Sequence, residues 1–141
     1  MTNQLYPCLW FDGQAKEAAD FYCSVFKNSK ITVDTPMVVN FELNGKKFMG
    51  LNGGPKFKFT EAVSLVVECE TQEEIDYYWD KLTADGGKES MCGWLKDKFG
   101  FSWQIIPAII GKLMSDPAKG ARVMQAILQM KKIDLEKLIN A

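Results

Sequence analysis

Gln104 is the side chain whose type and position point most clearly to binding chemistry. It is an amide among apolar residues, in the second strand of a hairpin predicted between Cys92 and Pro107. Asp97 and Gly100 suit the first and last positions of its turn, and Pro107 ends the strand because it has no N–H to donate. An amide here contacts either a ligand or the neighbouring backbone, and the sequence leaves both open.

Four more residues are candidate ligand contacts. Ser64 is a short polar residue in an apolar stretch, so it is either a ligand contact or a hydrogen-bonded core hydroxyl. Trp94 either forms a wall of a cleft or packs in the core. Phe41 and Phe48 likewise either line an apolar pocket or belong to the core. We expect a ligand site drawn from these four residues and Gln104.

The residue types also exclude chemistry. The sequence contains no histidine, which rules out histidine-based triads, a histidine general base and histidine metal ligands. The cysteines are scattered, with no C-x-x-C pair, at Cys8, Cys23, Cys69 and Cys92. Such spacing is typical of free thiols in a reducing compartment, and a thiol nucleophile would need a cationic neighbour. No catalytic residue is therefore predicted.

Composition sets the class of protein. The chain has 141 residues, of which 47% are hydrophobic and 25% charged, as in an ordinary globular protein. A net charge of -1 gives no electrostatic basis for binding nucleic acid or an anionic membrane. No apolar run approaches the ~20 residues that cross a bilayer, and Met1–Gln4 lacks a signal pattern. We expect a cytoplasmic protein.

The predicted elements that position the candidates begin with two strand–helix pairs. A strand from Leu5 to Phe11 precedes apolar residues at helical spacing between Ala15 and Phe26. A second apolar strand, from Ala62 to Cys69, precedes a capping box in which Thr71 caps a helix and Glu74 reaches back. Each pair predicts a strand followed by an amphipathic helix.

A hairpin is the clearest local signal. Asn44-Gly45 predicts a type I′ turn, because both residues tolerate a positive φ. A two-residue turn there places Phe41 opposite Phe48 and Glu42 opposite Lys47, and a slip of one residue would lose both matches. The expected result is a tight antiparallel pair.

The last third of the sequence predicts one further strand and then helices. The strand is expected at about Ser90 to Leu95, before the hairpin that ends at Pro107. Asp116 and Asp134 suit helix N-caps, the first followed directly by proline. The helix after Asp116 is expected to bury Val123, Met124, Ile127 and Leu128.

The order strand, helix, strands occurs twice, with Glu17–Tyr22 matching Glu74–Trp79. Units of this size would each leave a sheet face uncovered, so we expect them to pair. The predicted fold class is α+β, with two βαβββ modules pairing into a curved mixed sheet around a cleft, plus C-terminal helices. Ligands prefer such concave sites.

Specific motifs here resemble a known family. They are Tyr6-Pro7-Cys8-Leu9-Trp10-Phe11-Asp12-Gly13, then Ala15-x-x-Ala18-x-x-Phe21-Tyr22, Cys92-Gly93-Trp94-Leu95-Lys96-Asp97 and Asp97-Lys98-Phe99-Gly100-x-x-Trp103. Together they resemble the PhnB-like, or 3-demethylubiquinone-9 3-methyltransferase domain, branch of the vicinal oxygen chelate (glyoxalase/bleomycin resistance/dioxygenase) superfamily. The resemblance covers residues 4–107. It implies one domain over 1–107, with modules at about 4–55 and 60–107, a helical extension at 108–141, and commonly a homodimer.

The resemblance also locates the centre where metal-dependent relatives hold a divalent ion. By motif, its four positions fall near Pro7, Gly50, Ser64 and Gln104. Because one amide and one hydroxyl are too few and too weak for zinc or nickel, we expect no bound metal and no cofactor. An alignment shifted by one residue would bring in Glu42 or Glu68.

Three functions follow as hypotheses. The first is a metal-free small-molecule binding protein whose ligand is unknown. The alternative is an enzyme of the superfamily, either a metal-assisted lyase or isomerase or the methyltransferase for which the branch is named. For the methyltransferase hypothesis, the sequence lacks a Gly-rich strand–turn–helix that would bind a nucleotide-like cofactor. The third is a stress or interaction module whose C-terminal helices, Ile109 to Ile139, mainly make a dimer. Fold alone decides none of these.

Overall fold

A computed structural model describes residues 3–141 of the chain. These residues form two compact units, one that ends at Phe59 and one that runs from Thr60 to Ala141. Each unit contains a four-stranded mixed sheet with the same strand topology. The extension predicted after Pro107 therefore folds in the same compact unit as the second module.

The first unit is a βαβββ module. Its elements are β1 (Cys8–Phe11), α1 (Ala15–Val25), β2 (Lys30–Asp34), β3 (Val38–Leu43) and β4 (Lys46–Asn52). The strand order is β1-β4-β3-β2, with β1 parallel to β4 and the other pairs antiparallel. The first strand begins later than the predicted Leu5, which is 96% exposed.

The predicted hairpin is confirmed with its register. Asn44 and Gly45 have φ values of 51° and 78°, as a type I′ turn requires. Phe41 pairs with Phe48 and Glu42 with Lys47, and the two phenyl rings stack with centroids 5.6 Å apart. Local turn chemistry therefore fixes this part of the sheet.

The second unit repeats the module. It consists of β5 (Ser64–Cys69), α2 (Gln72–Thr83), a 3-10 turn (Ala84–Gly86), β6 (Lys88–Glu89), β7 (Trp94–Lys96) and β8 (Ser102–Pro107). The strand order is β5-β8-β7-β6, with β5 parallel to β8. The prediction of an α+β protein built from two βαβββ modules, plus C-terminal helices, is confirmed.

The capping box that starts α2 is confirmed with one difference. The Thr71 side chain accepts a hydrogen bond from the Glu74 N–H, at 3.2 Å. The Glu74 carboxylate accepts from the Glu70 N–H, at 3.0 Å, rather than from Thr71. The glutamate thus also fixes the residue that leads out of β5.

The prediction of a strand from Ser90 to Leu95 is wrong, because a turn interrupts the extended chain between β6 and β7. Cys92 and Gly93 both have a positive φ, of 63° and 82°. Their N–H groups donate to the carbonyls of Met130 and Lys131, at 2.7 and 2.8 Å. Backbone bonds to a distant segment therefore replace the ladder that local sequence predicted.

Three helices complete the second unit: α3 (Ile110–Met114), α4 (Pro117–Ile127) and α5 (Leu135–Ile139). Both predicted N-caps are confirmed, since the Asp116 and Asp134 side chains accept from backbone N–H groups of the first turns. A small core is formed by Val123, Ile127, Ile133 and Leu138.

The predicted burial of α4 is wrong at two of four positions. Val123 and Ile127 are buried, but Met124 and Leu128 are 42% and 54% exposed. The buried stripe is narrower than the apolar pattern, because only Val123 and Ile127 of α4 join the core that contains Ile133 and Leu138.

Within residues 3–141, no helix combines the length and apolar character that a membrane span needs.

Candidate functional site

The two faces of the second sheet differ in cover. Helix α2 packs on the face that carries Leu95. This is indicated by a hydrogen bond from the Trp79 indole N–H of α2 to Glu89, at 2.8 Å, and Glu89 is the register partner of Leu95. The opposite face, called the open face below, carries the alternate residues. They are Ser64, Val66 and Glu68 of β5, Trp94 and Lys96 of β7, and Ser102, Gln104 and Ile106 of β8.

Gln104 and Ser64 form a hydrogen-bonded pair on the open face. The Gln104 Nε2 donates to the Ser64 hydroxyl oxygen at 2.9 Å, across a sequence separation of 40 residues. Strand β5 runs parallel to β8 with Ser64 beside Ser102, so Ser64 and Gln104 are diagonal neighbours on one face. The structure thus brings together two predicted site residues.

Trp94 completes this row from the other side. It is the register partner of Gln104 in the β7–β8 pair, and Val66 is the partner of Gln104 in the β5–β8 pair. Trp94 is half-buried and Val66 is 49% exposed. Gln104 therefore lies between a valine and an indole, with its amide directed toward Ser64.

A second row of the open face is polar. Ser102 has Ser64 as its register partner in β5 and Lys96 as its partner in β7. Ser102 is fully buried, and its hydroxyl has no hydrogen-bond partner among the described residues. A buried hydroxyl without a partner costs free energy, about 1–3 kcal/mol, so this atom is a natural contact for solvent or a ligand.

The polar row borders a cavity of about 220 Å³, lined by Glu61, Glu89, Trp94, Lys96 and Ser102 among others. The Lys96 ammonium forms an ion pair with the Glu61 carboxylate. The hydrogen bond from Lys96 lowers the pKa of Glu61 from its ordinary value. Because both side chains are substantially exposed, this ion pair is readily exchanged for another partner.

Asp97 holds β7 and β8 in place beside the cavity. One carboxylate oxygen accepts from the N–H groups of Phe99 and Phe101, at 2.9 and 3.1 Å. The other accepts from the Trp103 indole N–H at 2.8 Å. The Gly100 N–H closes the predicted turn on the Asp97 carbonyl, at 2.9 Å, so the turn that sets the register is fixed by one buried carboxylate.

Phe41 and Phe48 lie on the helix-covered face of the first sheet. Both are buried, and the centroid of the Phe41 ring lies 6.1 Å from the centroid of the Tyr22 ring in α1. Helix α1 therefore covers them within their own unit. Their assignment as ligand contacts stays a prediction, and the site proposed below leaves them out.

The positions matched to the metal centre of relatives supply few donors. Gly50 faces α1, since a Cβ on it would lie 3.2 Å from the Cβ of Ala15, and Pro7 has no side-chain donor. Ser64 and Gln104 offer one hydroxyl and one amide, already bonded to each other. Within residues 3–141, no three histidine, cysteine or acidic side chains group as metal ligands. This donor set does not fit a zinc or nickel centre.

Glu42 and Glu68 are the further candidate metal ligands. Glu68 lies on the open face two residues beyond Val66, and Glu42 lies near the end of β3 in the first sheet. Neither side chain contacts the Gln104–Ser64 pair in the described hydrogen bonds. A role for either glutamate at a weak metal site stays a prediction.

Burial raises the pKa of three of the four thiols. It raises the pKa of the Cys69 thiol to about 11, and it also raises the pKa values of Cys8 and Cys23. A nucleophilic cysteine needs the opposite shift. These three thiols therefore suit packing better than catalysis.

A wider depression, of about 850 Å³, lies between α2 and the C-terminal segment. Several of its polar side chains already have partners. Gln72 donates to the Ile133 carbonyl (3.0 Å) and accepts from the Leu135 N–H (2.8 Å), while Asp76 pairs with Lys132 at 2.9 Å. These bonds hold the C-terminal segment to α2, so this depression has a structural explanation.

Ser102, Lys96 and Glu61 are the site residues that sequence reasoning missed. A signal for two of them was present: strand alternation places Ser102 on the face of Gln104, and the Asp97–Gly100 turn pairs Lys96 with Ser102. Glu61 lies outside the strands, and nothing in its sequence context marks it.

Comparison with known proteins places the chain in a family. The family model described as 3-demethylubiquinone-9 3-methyltransferase matches residues 3–106. A PhnB protein from Bacillus cereus is 36% identical, with 75% of this chain and 100% of that chain covered and a TM-score of 0.68. No curated protein matches the chain significantly.

More distant structures show the fold. The fosfomycin resistance protein FosX from Listeria monocytogenes, solved with Mn(II) and sulfate, is 13% identical over 74% of this chain and 89% of its own, with a TM-score of 0.57. A glyoxalase-related enzyme from Fulvimarina pelagi is 15% identical over 77% and 91%, also at 0.57. The chain therefore belongs to the PhnB-like 3-demethylubiquinone-9 3-methyltransferase family, and it shares its fold with the glyoxalase-related structures.

Proposed function

We propose that this protein binds a small molecule without a metal ion, on the open face of its second sheet. The observation that supports this most is the Gln104–Ser64 hydrogen bond on the face opposite α2. Two polar groups are held there by their strands, beside an indole and a partly exposed valine. Few fixed polar groups on an apolar surface are typical of small-molecule sites.

The chemistry of the pair indicates how a ligand would be oriented. Because Gln104 uses one N–H to reach Ser64, its carbonyl oxygen and second N–H can bond a ligand. Trp94 and Val66, on either side, offer apolar contact. The expected ligand has an apolar, preferably aromatic body and at least one hydrogen-bonding group.

A fluorescence titration tests this proposal with a defined probe. The probe is 8-anilinonaphthalene-1-sulfonate, which combines aromatic rings with an anionic acceptor. We expect saturable binding that EDTA does not change. Gln104→Ala should weaken it about fivefold, the value of roughly one hydrogen bond.

The control variant is Gln125→Ala, which removes an exposed amide from α4 and should leave the affinity unchanged. Equal affinities of Gln104→Ala and the unchanged protein would contradict the proposed site. Loss of binding in EDTA, with recovery on adding manganese, would contradict metal independence.

A methyltransferase is the second candidate, favoured by the description of the family to which the chain belongs. Such an enzyme must hold a methyl donor, ordinarily S-adenosylmethionine. At each of the two strand–helix connections, however, one first-turn N–H is already bonded: that of Ala15 to Asn52 Oδ1 at 2.9 Å, and that of Glu74 to the Thr71 hydroxyl at 3.2 Å. Calorimetry with S-adenosylmethionine decides between the candidates, and saturable binding would favour the enzyme.

A further inference from the structure

The orphaned Ser102 hydroxyl beside Lys96 carries an inference about the ligand's chemistry. We propose that the cavity bordered by Ser102, Lys96 and Trp94 takes the carboxylate of a small aromatic or apolar acid, with the Glu61 carboxylate as an internal competitor. This inference rests on the proposed function, because the cavity shares Trp94 and the open face with Gln104.

The first step is the unmet hydrogen bond. Ser102 is fully buried, lines the cavity, and has no partner for its hydroxyl among the described residues. Its neighbour Ser64 is different, since its oxygen already accepts from Gln104. A group that enters the cavity and accepts the Ser102 O–H would remove the cost of leaving that hydroxyl unpaired.

The second step is charge. Lys96 is the register partner of Ser102, so an ammonium and a hydroxyl donor lie on neighbouring strands of one face. A carboxylate is the small group that accepts from both, and bonds to a charged partner are roughly twice as strong as neutral ones. These two donors therefore favour an anion over a neutral ligand.

The third step is the present partner of Lys96. The Glu61 carboxylate pairs with the Lys96 ammonium, and the glutamate side chain is 63% exposed. It shows the bond that a ligand carboxylate would make, and its exposure lets it withdraw into solvent. Ligand binding would therefore exchange one ion pair for another, at the cost of displacing Glu61.

The fourth step is size. At ~30 Å³ per water molecule, a cavity of about 220 Å³ has room for about seven water-sized groups. That volume suits a single ring with a carboxylate rather than a drug-sized molecule. The half-buried Trp94 indole supplies an apolar wall for such a ring.

Calorimetric titration with benzoate, and with benzamide as its neutral counterpart, tests the inference. Benzoate should bind at least tenfold more tightly than benzamide. Lys96→Gln should weaken benzoate binding about tenfold and Ser102→Ala about fivefold, while Lys112→Gln, an exposed charge on α3, should leave it unchanged. Glu61→Gln should strengthen it severalfold, because the competing carboxylate is gone.

The sign of the Glu61→Gln effect keeps the test decisive if Lys96→Gln does not fold. Benzoate binding that weakens in Glu61→Gln, or that equals benzamide binding, would overturn the inference. If benzoate does not bind while 8-anilinonaphthalene-1-sulfonate still binds in a Gln104-dependent way, this inference fails and the proposed function stands. If neither probe binds, both fail.

Discussion

At the scale of single residues, Asp97 supports the site without being part of it. Its buried carboxylate accepts hydrogen bonds from Phe99, Phe101 and Trp103, and so fixes the turn between β7 and β8. Trp94 and Lys96 lie on one side of that turn, and Ser102 and Gln104 on the other. The geometry of the open face therefore depends on one acceptor.

Asp97→Asn should destabilise the second unit by about 3 kcal/mol. The substitution removes a charge and turns an amide N–H toward existing N–H donors, so a buried donor loses its partner. Urea unfolding followed by tryptophan fluorescence measures the change. Asp12→Asn, at an exposed position, is the control, and equal losses for the two variants would contradict this role.

Cys69 gives the protein a pH dependence at the alkaline side. Burial raises the pKa of its thiol to about 11, from an ordinary 9.0. The folded protein therefore keeps a proton that the unfolded chain loses, and this contribution to stability is full below pH 9 and falls as the pH rises toward 11.

Cys69→Ala should lose less stability between pH 9 and pH 11 than the unchanged protein. Urea midpoints at the two pH values give the comparison, which cancels titration elsewhere in the chain. Val67→Ala, which truncates a side chain without a titratable group in the same strand, serves as the control and should lose as much stability between the two pH values as the unchanged protein. An identical alkaline loss in Cys69→Ala would show that the thiol is not the source.

Apart from Gln104 and Ser64, which bond across 40 residues, the sequence predicted residues whose partners are local and missed those whose partners are distant. Thr71, Asp97 and the Asn44-Gly45 turn act within a few residues, so turn and cap chemistry identified them. The role of Ser102 depends on the strands on either side. A single serine in a strand gives no signal that its hydroxyl lacks a partner.

At the scale of elements, the break between β6 and β7 shows where long-range contacts override local pattern. Gly93 has a positive φ of 82°, and a Cβ on it would lie 2.9 Å from the Ile105 carbonyl oxygen and 3.1 Å from Ile133. The glycine thus lets the C-terminal segment approach the sheet closely. No pattern within residues 90–95 predicts this approach, because its cause lies near residue 131.

Gly93→Ala should therefore destabilise the protein more than Gly100→Ala. Both glycines have a positive φ, but a Cβ on Gly100 would meet nothing within 4 Å. The backbone cost alone, about 1–2 kcal/mol, is expected for Gly100→Ala, and Gly93→Ala adds a clash with the Ile105 carbonyl. Urea unfolding of both variants measures the difference, and equal losses would contradict the close approach.

The contrast between local pattern and long-range contact also applies to which face of the first sheet the helix covers. The Asn44-Gly45 turn predicted correctly that Phe41 and Phe48 are opposite one another. Alternation did not predict which face the helix covers, because both faces of β3 and β4 carry apolar residues. The helix-facing choice follows from α1, whose small residues Ala15, Ala18 and Ala19 are all fully buried.

At the scale of the whole molecule, the structure confirms the repeat that was predicted from the sequence. Both units have the order and pairing of the same βαβββ module. The polar groups of the two units differ, since the Gln104–Ser64 pair and the orphaned Ser102 hydroxyl belong to the second unit, whereas the first has a buried Asn40 amide oxygen without a partner among the described residues. A repeated scaffold with one copy of the proposed site fits the principle that fold alone does not set function.

The homodimer implied by the family resemblance stays a prediction for the molecule as a whole. Light scattering coupled to size exclusion should give twice the chain mass of 15.9 kDa. The same measurement on Leu128→Lys, at a 54% exposed position of α4, tests whether the C-terminal helices form the contact. A dimer unchanged in this variant would count against that face, and a single species at 15.9 kDa would exclude the dimer.

The most direct measurement is a nuclear magnetic resonance titration of ¹⁵N-labelled protein with 8-anilinonaphthalene-1-sulfonate, in the presence of EDTA. The side-chain amide of Gln104 and the indole N–H of Trp94 report on the open face, and the side-chain amide of Gln125 on α4 is the internal control. We predict that the first two signals shift with a common saturation curve while the third stays in place. Shifts confined to other residues, or shifts that appear only when manganese replaces EDTA, would contradict a metal-free binding site at Gln104.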